Sequence, residues 1–182
     1  MFTKISRKPP TVKLFPITAK SPLNATLWVR IFEQVLYYAN LRFSKMTGGR
    51  YEIVRGESRD KRISAGLEIS VRDNFNNKER DISSLSGGES FQASLALALG
   101  LTDIIQQRNG GIRLDSIFID EGFGSLDNDS LASAIETLND LTGNGNRLVG
   151  IISHISELKN SIGNKIEVVG TKSGSSIKII TD

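Results

Sequence analysis

Hydrophobic positions along this chain alternate between two periods, and each change of period predicts a change of element. Over residues 23–47 they recur at helical spacing. Leu27, Ile31, Val35, Tyr38 and Arg42 trace one side of that helix, while Trp28, Phe32, Leu36 and Ala39 widen its apolar face. Gly48-Gly49 then stops it. Residues 50–55 and 63–71 alternate in the strand manner, with Ile63, Ala65, Leu67, Ile69 and Val71 on one face and a turn over residues 56–61. Residues 73–81 are polar and Asn-rich and read as a loop, in which Lys78 and Arg80 are either solvated or reach a phosphate or a partner. Residues 90–107 are apolar on most sides (Phe91, Leu95, Leu97, Leu99, Leu101, Ile104, Ile105), which predicts a largely buried helix. Leu114-Asp-Ser-Ile-Phe-Ile-Asp-Glu121 reads as a buried strand. An amphipathic helix over 128–141 uses Leu131, Ile135 and Leu138, and a second short apolar strand ends at Ser153-His154. A short helix over 155–162 and a hairpin of 166–169 with 176–180 complete the chain. Helices alternating with strands predict an α/β fold.

Chemistry enters at three places in this pattern. Ser86 and Glu89 form a Ser-x-x-Glu capping box just ahead of the long apolar helix, so Ser86 is its expected N-cap. Gly87 and Gly88 place two residues without side chains in the first turn. A phosphate could approach bare amides there, at the positive end of the helix dipole, with the Ser86 hydroxyl as a further donor. Taken alone, the same box opens many ordinary helices. The second place is Asp120-Glu121, two carboxylates at the C-terminal end of a predicted strand, where open α/β sheets hold their ligands. One hard carboxylate oxygen suits Mg²⁺, and a neighbouring carboxylate can orient or deprotonate a water. The third is His154, the single histidine, at the end of the next predicted strand. Each has a plain alternative as a cap, a solvated turn or a surface residue.

Order and wording along the chain bear on those alternatives. The Ser86-Gly87-Gly88-Glu89 loop, the strand ending in Asp120-Glu121, the Gly122-Phe-Gly-Ser-Leu-Asp127 segment and Ser153-His154 follow one another as signature loop, Walker B strand, D-loop and switch His do in the C-terminal lobe of an ABC-type ATPase. More narrowly, Leu85-Ser-Gly-Gly-Glu-Ser-Phe-Gln-Ala-Ser-Leu-Ala-Leu-Ala-Leu-Gly-Leu101 and Phe118-Ile-Asp-Glu-Gly-Phe-Gly-Ser-Leu-Asp127 resemble the SbcC family of SMC-like DNA-repair ATPases, from about residue 26 onward. The resemblance implies an α/β lobe of a P-loop NTPase head, a sheet flanked by helices. It further implies that Ser86, Gly87 and Gly88 touch the γ-phosphate of an ATP held mainly by an opposite protomer and that Glu89 caps the same loop. By the same route Asp120 supports Mg²⁺, Glu121 polarises the hydrolytic water and His154 senses the γ-phosphate. Ser125, Leu126 and Asp127 form the D-loop at the dimer seam.

No Gly-x-x-x-x-Gly-Lys-[Ser/Thr] P-loop occurs in the 182 residues. The family carries it in an N-terminal lobe joined by a long coiled coil, so the expectation is one lobe of a split head that does not hydrolyse ATP alone. Implied partners are the N-terminal P-loop lobe, a second ATPase head, an SbcD-like nuclease and DNA. The helix over 23–47 is then the coiled-coil-proximal one, and its apolar stripe lacks a covering partner. Other readings stay open: a remnant or binding module that modulates a full-length relative, an inert gene product, or a fragment of a transporter ATPase.

Composition alters this little. With 38% hydrophobic residues, the chain can bury a core as one domain over residues 23–182. Residues 1–22 differ: Lys4, Arg7, Lys8, Lys13 and Lys20 occur with no acid and with Pro9, Pro10 and Pro16, which reads as a disordered leader or, alternatively, a basic arm for nucleic acid. Nothing there has the apolar length of a secretion signal or membrane span. The absence of cysteine excludes disulfide and thiolate-metal frameworks and fits a cytoplasmic setting. A net charge of +3 permits a surface that faces DNA without requiring one.

Overall fold

A computed structural model of the chain describes residues 22–56, 68–108, 114–145, 147–171 and 174–181. The leader and the first half of the strand expected over 63–71 lie outside these residues. Helix α1 (Pro22–Met46) is followed by strands β1 (Tyr51–Arg55), β2 (Ile69–Asp73) and β3 (Lys78–Asp81). Helix α2 (Gly87–Arg108) leads to β4 (Ser116–Asp120), α3 (Asn128–Gly145) and β5 (Leu148–Ile152). Helix α4 (Ser156–Ser161) and the hairpin β6 (Lys165–Thr171) and β7 (Gly174–Ile180) close the described chain.

Helix α1 buries only the C-terminal half of its apolar stripe. Val35, Leu36, Ala39, Phe43 and Met46 are buried, while Leu27 and Trp28 remain exposed. Its main neighbour is α2, which approaches so closely at Gly100 that a Cβ there would stand 2.7 Å from the backbone of Val35 and Ala39. Strand β1 is fastened to α1 by one side chain. Asn40 donates to the Ile53 carbonyl and accepts from the Ile53 amide, both at 2.8 Å. These bonds satisfy a buried polar group while fixing the strand to the helix.

Strand β2 pairs antiparallel with both β1 and β3, and the register sets buried Ile53 opposite buried Val71. The polar segment expected to be a loop thus contains β3. Lys78-Glu79-Arg80-Asp81 has no apolar alternation to reveal a strand; Arg72 bonded to Glu79 and to Glu52 ties it to its neighbours. Asp73 accepting from the Phe75 amide and Asn76 from the Lys78 amide shape the connecting turn.

Strands β4 and β5 pair in parallel, joined through α3, with Asp120 opposite Ile152 at their C-terminal ends. Helices α1, α2 and α3 and strands β1 and β2 share one core, centred on Phe43, Ile53, Val71, Leu99 and Phe123. Helix α2 buries Gln92, Ala93, Leu95, Ala96, Leu99, Gly100 and Ile104, as its composition predicts, although Leu101 is exposed. Among the described residues no helix is long and apolar enough to cross a membrane.

Candidate functional site

The expected capping box is formed. The Ser86 amide donates to Glu89 Oε2 at 2.9 Å and the Glu89 amide to Ser86 Oγ at 3.3 Å. Asp81, accepting from the Ser83 amide at 2.9 Å, caps the single 3-10 turn before it, and buried Leu85 anchors the approach. Ser86 and Gly87 lie exposed at the start of α2, where the first amides of a helix have no partner within it. Burial pushes the Glu89 carboxyl up, but the Ser86 amide, the Tyr51 hydroxyl, the Ser86 side chain and the Arg80 charge outweigh it. Its pKa lies below the ordinary 4.5.

Directly against this loop stands the segment after β4. A one-turn helix, Phe123–Ser125, is closed by Ser125 Oγ donating to the Gly122 carbonyl at 3.1 Å and the Leu126 amide to the Phe123 carbonyl. Buried Phe123 meets Phe91 edge-on, with ring centres 4.8 Å apart, and so holds the segment to α2. Gly88 faces Ser125 closely: a Cβ at Gly88 would lie 2.8 Å from the Ser125 carbonyl oxygen and 3.3 Å from Leu126. Only glycine fits there without moving the backbone. Asp127 caps α3, accepting from the Ser130 amide at 2.8 Å. That amide, with help from the Ser130 side chain, holds the Asp127 carboxyl below its ordinary value. Ser86, Gly88, Glu89, Ser125, Leu126 and Asp127 together line a cavity of about 410 Å³, with Arg50 and Tyr51 also in its wall.

Asp120, Glu121 and His154 do not line that cavity. They stand at the C-terminal ends of β4 and β5. Glu121 adopts φ 59°, an uncommon left-handed conformation for a residue with a side chain, while its amide donates to the Ile152 carbonyl at 2.9 Å. Its two carboxylate oxygens lie 3.1 and 3.0 Å from His154 Nδ1. A proton on Nδ1 satisfies that bond and leaves Nε2 free to accept, or to donate when the ring is charged. His154 is 82% exposed, so the pair is accessible to a ligand rather than closed in a core. Ser153, accepting from the Ile155 amide at 3.2 Å, fixes the turn that presents the ring.

No group of three or more His, Cys, Asp or Glu side chains able to hold a metal occurs among the described residues. Asp120, exposed beside Glu121, supplies an oxygen donor but no cage. That donor set fits Mg²⁺ shared with phosphate oxygens, since Mg²⁺ keeps most of its waters and takes one or two carboxylates.

Two residues that sequence reasoning passed over, Tyr51 and Arg80, sit behind the loop. Arg80 donates to the Tyr51 hydroxyl at 3.1 Å and to the Ser84 carbonyl at 3.2 Å. Hidden strand β3 concealed them, for its charged sequence carries no period.

Comparison with known proteins adds a family-level finding. Residues 57–140 match the model of the SbcC/RAD50-like Walker B family. The chain is 49% identical over 164 residues to the SbcC component of nuclease SbcCD from Vibrio cholerae, a match that covers 90% of this chain and 16% of that protein. It is 53% identical over 156 residues to the SbcC component from Staphylococcus aureus, covering 84% of this chain and 15% of that one. The chain therefore spans about a sixth of these relatives' length. In fold it is similar to a structure from a study of ATP-driven dimerisation of SMC ATPases, with TM-score 0.66 at 16% identity, covering 86% of this chain and 89% of that one. It is also similar to the Smc head domain of Pyrococcus furiosus bound to the C-terminal domain of ScpA, with TM-score 0.61 at 15% identity, covering 87% of this chain and 37% of that one.

Proposed function

This chain belongs to the SbcC/RAD50-like ATPases through its Walker B region, and from that premise we propose that it acts as the C-terminal lobe of an ATPase head, completing ATP sites whose phosphates are held mainly by another lobe. One observation carries this reading: the candidate residues form two stations rather than one. Ser86–Gly88 and Ser125–Asp127 share a cavity, whereas Asp120, Glu121 and His154 stand at the end of the parallel strands, with residues 122–127 linking the two stations. A lobe built this way can serve two nucleotides, offering amides to one and carboxylates to the other. Phosphate oxygens would meet the exposed first turn of α2, where helix dipole and free amides favour negative charge. Asp120 would hold Mg²⁺, which neutralises charge on the phosphates when bound. Glu121 would orient the attacking water, and its bond to His154 would fix which face of the imidazole looks toward the γ-phosphate.

The outer surface agrees that another lobe is needed. On the β6–β7 hairpin Ile166 faces Ile179 and Val168 faces Ile177, and all four are about two-thirds exposed. The opposite face turns inward and carries Glu167 in an ion pair with Lys159 of α4 at 2.7 Å. An apolar face outward and a charged face inward is the reverse of a free-standing domain. Phe118, Leu148 and Ile152 are likewise exposed on one side of β4–β5. The whole assembly would join two such heads and, as the name SbcCD indicates for the relatives, a nuclease acting on DNA.

Pairing the purified chain with a P-loop-bearing lobe of the family tests this. The chain alone is expected to show no turnover, and the pair to hydrolyse ATP. Glu121→Gln should reduce that hydrolysis by 100-fold or more, on the order of what a positioned general base supplies, while ATP-dependent association survives. Robust hydrolysis by the chain alone overturns the reading.

A further inference from the structure

We infer that Tyr51 and Arg80 are positioning residues for the Ser86–Gly88 loop, acting through Glu89 as a relay that runs from strand β3 across strand β1 to the first turn of α2. This rests on the reading of that loop as facing a nucleotide, and it assigns to two residues outside every motif a role in setting the loop's geometry.

The relay is continuous. Arg80, on an edge strand, aims both terminal nitrogens at the site: one donates to the Ser84 carbonyl just before the loop, the other to the Tyr51 hydroxyl. Its guanidinium also stands 5.4 Å from the Tyr51 ring centre. Tyr51 is 3% exposed, and a buried phenol requires a partner for its hydroxyl. With Arg80 already donating to that oxygen, its own proton goes to the Glu89 carboxylate. Glu89 in turn receives the Ser86 amide at 2.9 Å. Each member thus fixes the next, from Arg80 to the backbone of Ser86.

The arrangement is also specific. A capping box needs only its serine and its glutamate, and most stand in solvent with no further support. Here the carboxylate is held from behind by a buried phenol and a guanidinium, so the loop cannot rotate about the α2 terminus without breaking charge-assisted bonds. Burial first, then the bond to Glu89, raises the Tyr51 hydroxyl above its ordinary pKa, so the donor persists throughout the neutral range. The other charged groups facing this cluster are Arg50, whose guanidinium lies 4.7 Å from the Tyr51 ring centre, and Asp127 and Asp129 in the cavity wall. Buried Gln92, donating to the Met46 carbonyl at 3.1 Å, fixes the next turn of α2 against α1, so the relay governs the first turn.

Two variants of the full chain, Tyr51→Phe and Arg80→Gln, test the assignment beside Ser86→Arg, each combined with the P-loop-bearing lobe used above. Both relay variants are expected to weaken ATP-dependent association about tenfold, the loss of one hydrogen bond to a charged group, with circular dichroism unchanged. In the isolated variants, without nucleotide, the carboxyl of Glu89 followed by carbon NMR should titrate at higher pH than in the parent chain. A merely structural role for Tyr51 or Arg80 would leave that midpoint alone. Should Tyr51→Phe lose its fold, Arg80→Gln decides by itself, since its site is a half-buried position on an edge strand. Parent-like association in the relay variants overturns the inference, as does an unmoved Glu89 midpoint. If Ser86→Arg too associates like the parent, the nucleotide-facing reading of the loop has failed; if Ser86→Arg abolishes association, that reading stands and only the relay is lost.

Discussion

Two carboxylates show how a single residue's surroundings translate into pH behaviour. Glu89 and Asp127 each accept a backbone amide at the start of a helix, and each titrates below its ordinary value in the folded chain. A depressed folded pKa contributes stability that is fully present above the unfolded value and disappears as pH falls through the folded one. Acid should therefore loosen the first turns of α2 and α3 before it unfolds the core. Protection of the Glu89 and Ser130 amides, read by hydrogen exchange, is expected to fall below pH 4.5 while amides of buried Leu99 and Ile53 stay protected. Simultaneous loss at all four amides would refute that order. Glu121 shows a different residue-scale lesson, because its left-handed backbone is what turns the carboxylate toward His154.

Among elements, the joint of α1, α2 and β5 depends on one acid. Asp103 of α2 receives Arg42 of α1 at 2.8 Å and Arg147, just before β5, at 3.3 Å. All three side chains are under a fifth exposed, and Arg147 also reaches Gln106. Replacing Asp103 by Asn would leave two guanidinium groups without their counter-charge. The loss is expected to approach ~3 kcal/mol, somewhat less than a fully buried pair because water still reaches the edge of the site. Urea denaturation of Asp103→Asn measures it, and a change below about 0.5 kcal/mol would show the network to be solvated like a surface pair. Because α1 leads from the joint to exposed Trp28, and β5 leads to His154, the same network fixes their relative orientation. Most elements were visible in the periods of the chain. Strand β3 was not, since its pairing comes from a turn and a neighbour rather than from its own apolar residues.

Taken as a whole, the molecule exposes more apolar surface than a free-standing domain of this size does. The unpaired face of β6–β7, the outer side of β4–β5 and the N-terminal half of α1 all point large aliphatic or aromatic groups outward. The isolated chain is expected to self-associate in dilute buffer, and the double variant Ile177→Thr with Ile179→Thr to reduce that association without lowering the melting temperature. Light scattering and calorimetry check both parts. A monodisperse monomer in the parent chain would show that these faces are tolerated in water.

The sequence by itself determined the kind of chemistry and the order in which it is arranged. The capping box, the carboxylates at a strand end, the histidine after the next strand and the missing P-loop are local patterns, and local patterns survive in one dimension. It also set the α/β alternation, through periods of about two and 3.6. Tertiary structure alone decided which of these residues meet. Glu121 and His154 are separated by 33 residues, and only parallel pairing of β4 with β5 brings the carboxylate to the imidazole. Arg80 reaches Tyr51 across three strands whose register no single strand encodes. Such meetings depend on how helices and sheets pack, which is a property of contacts between distant segments and leaves no period in the chain.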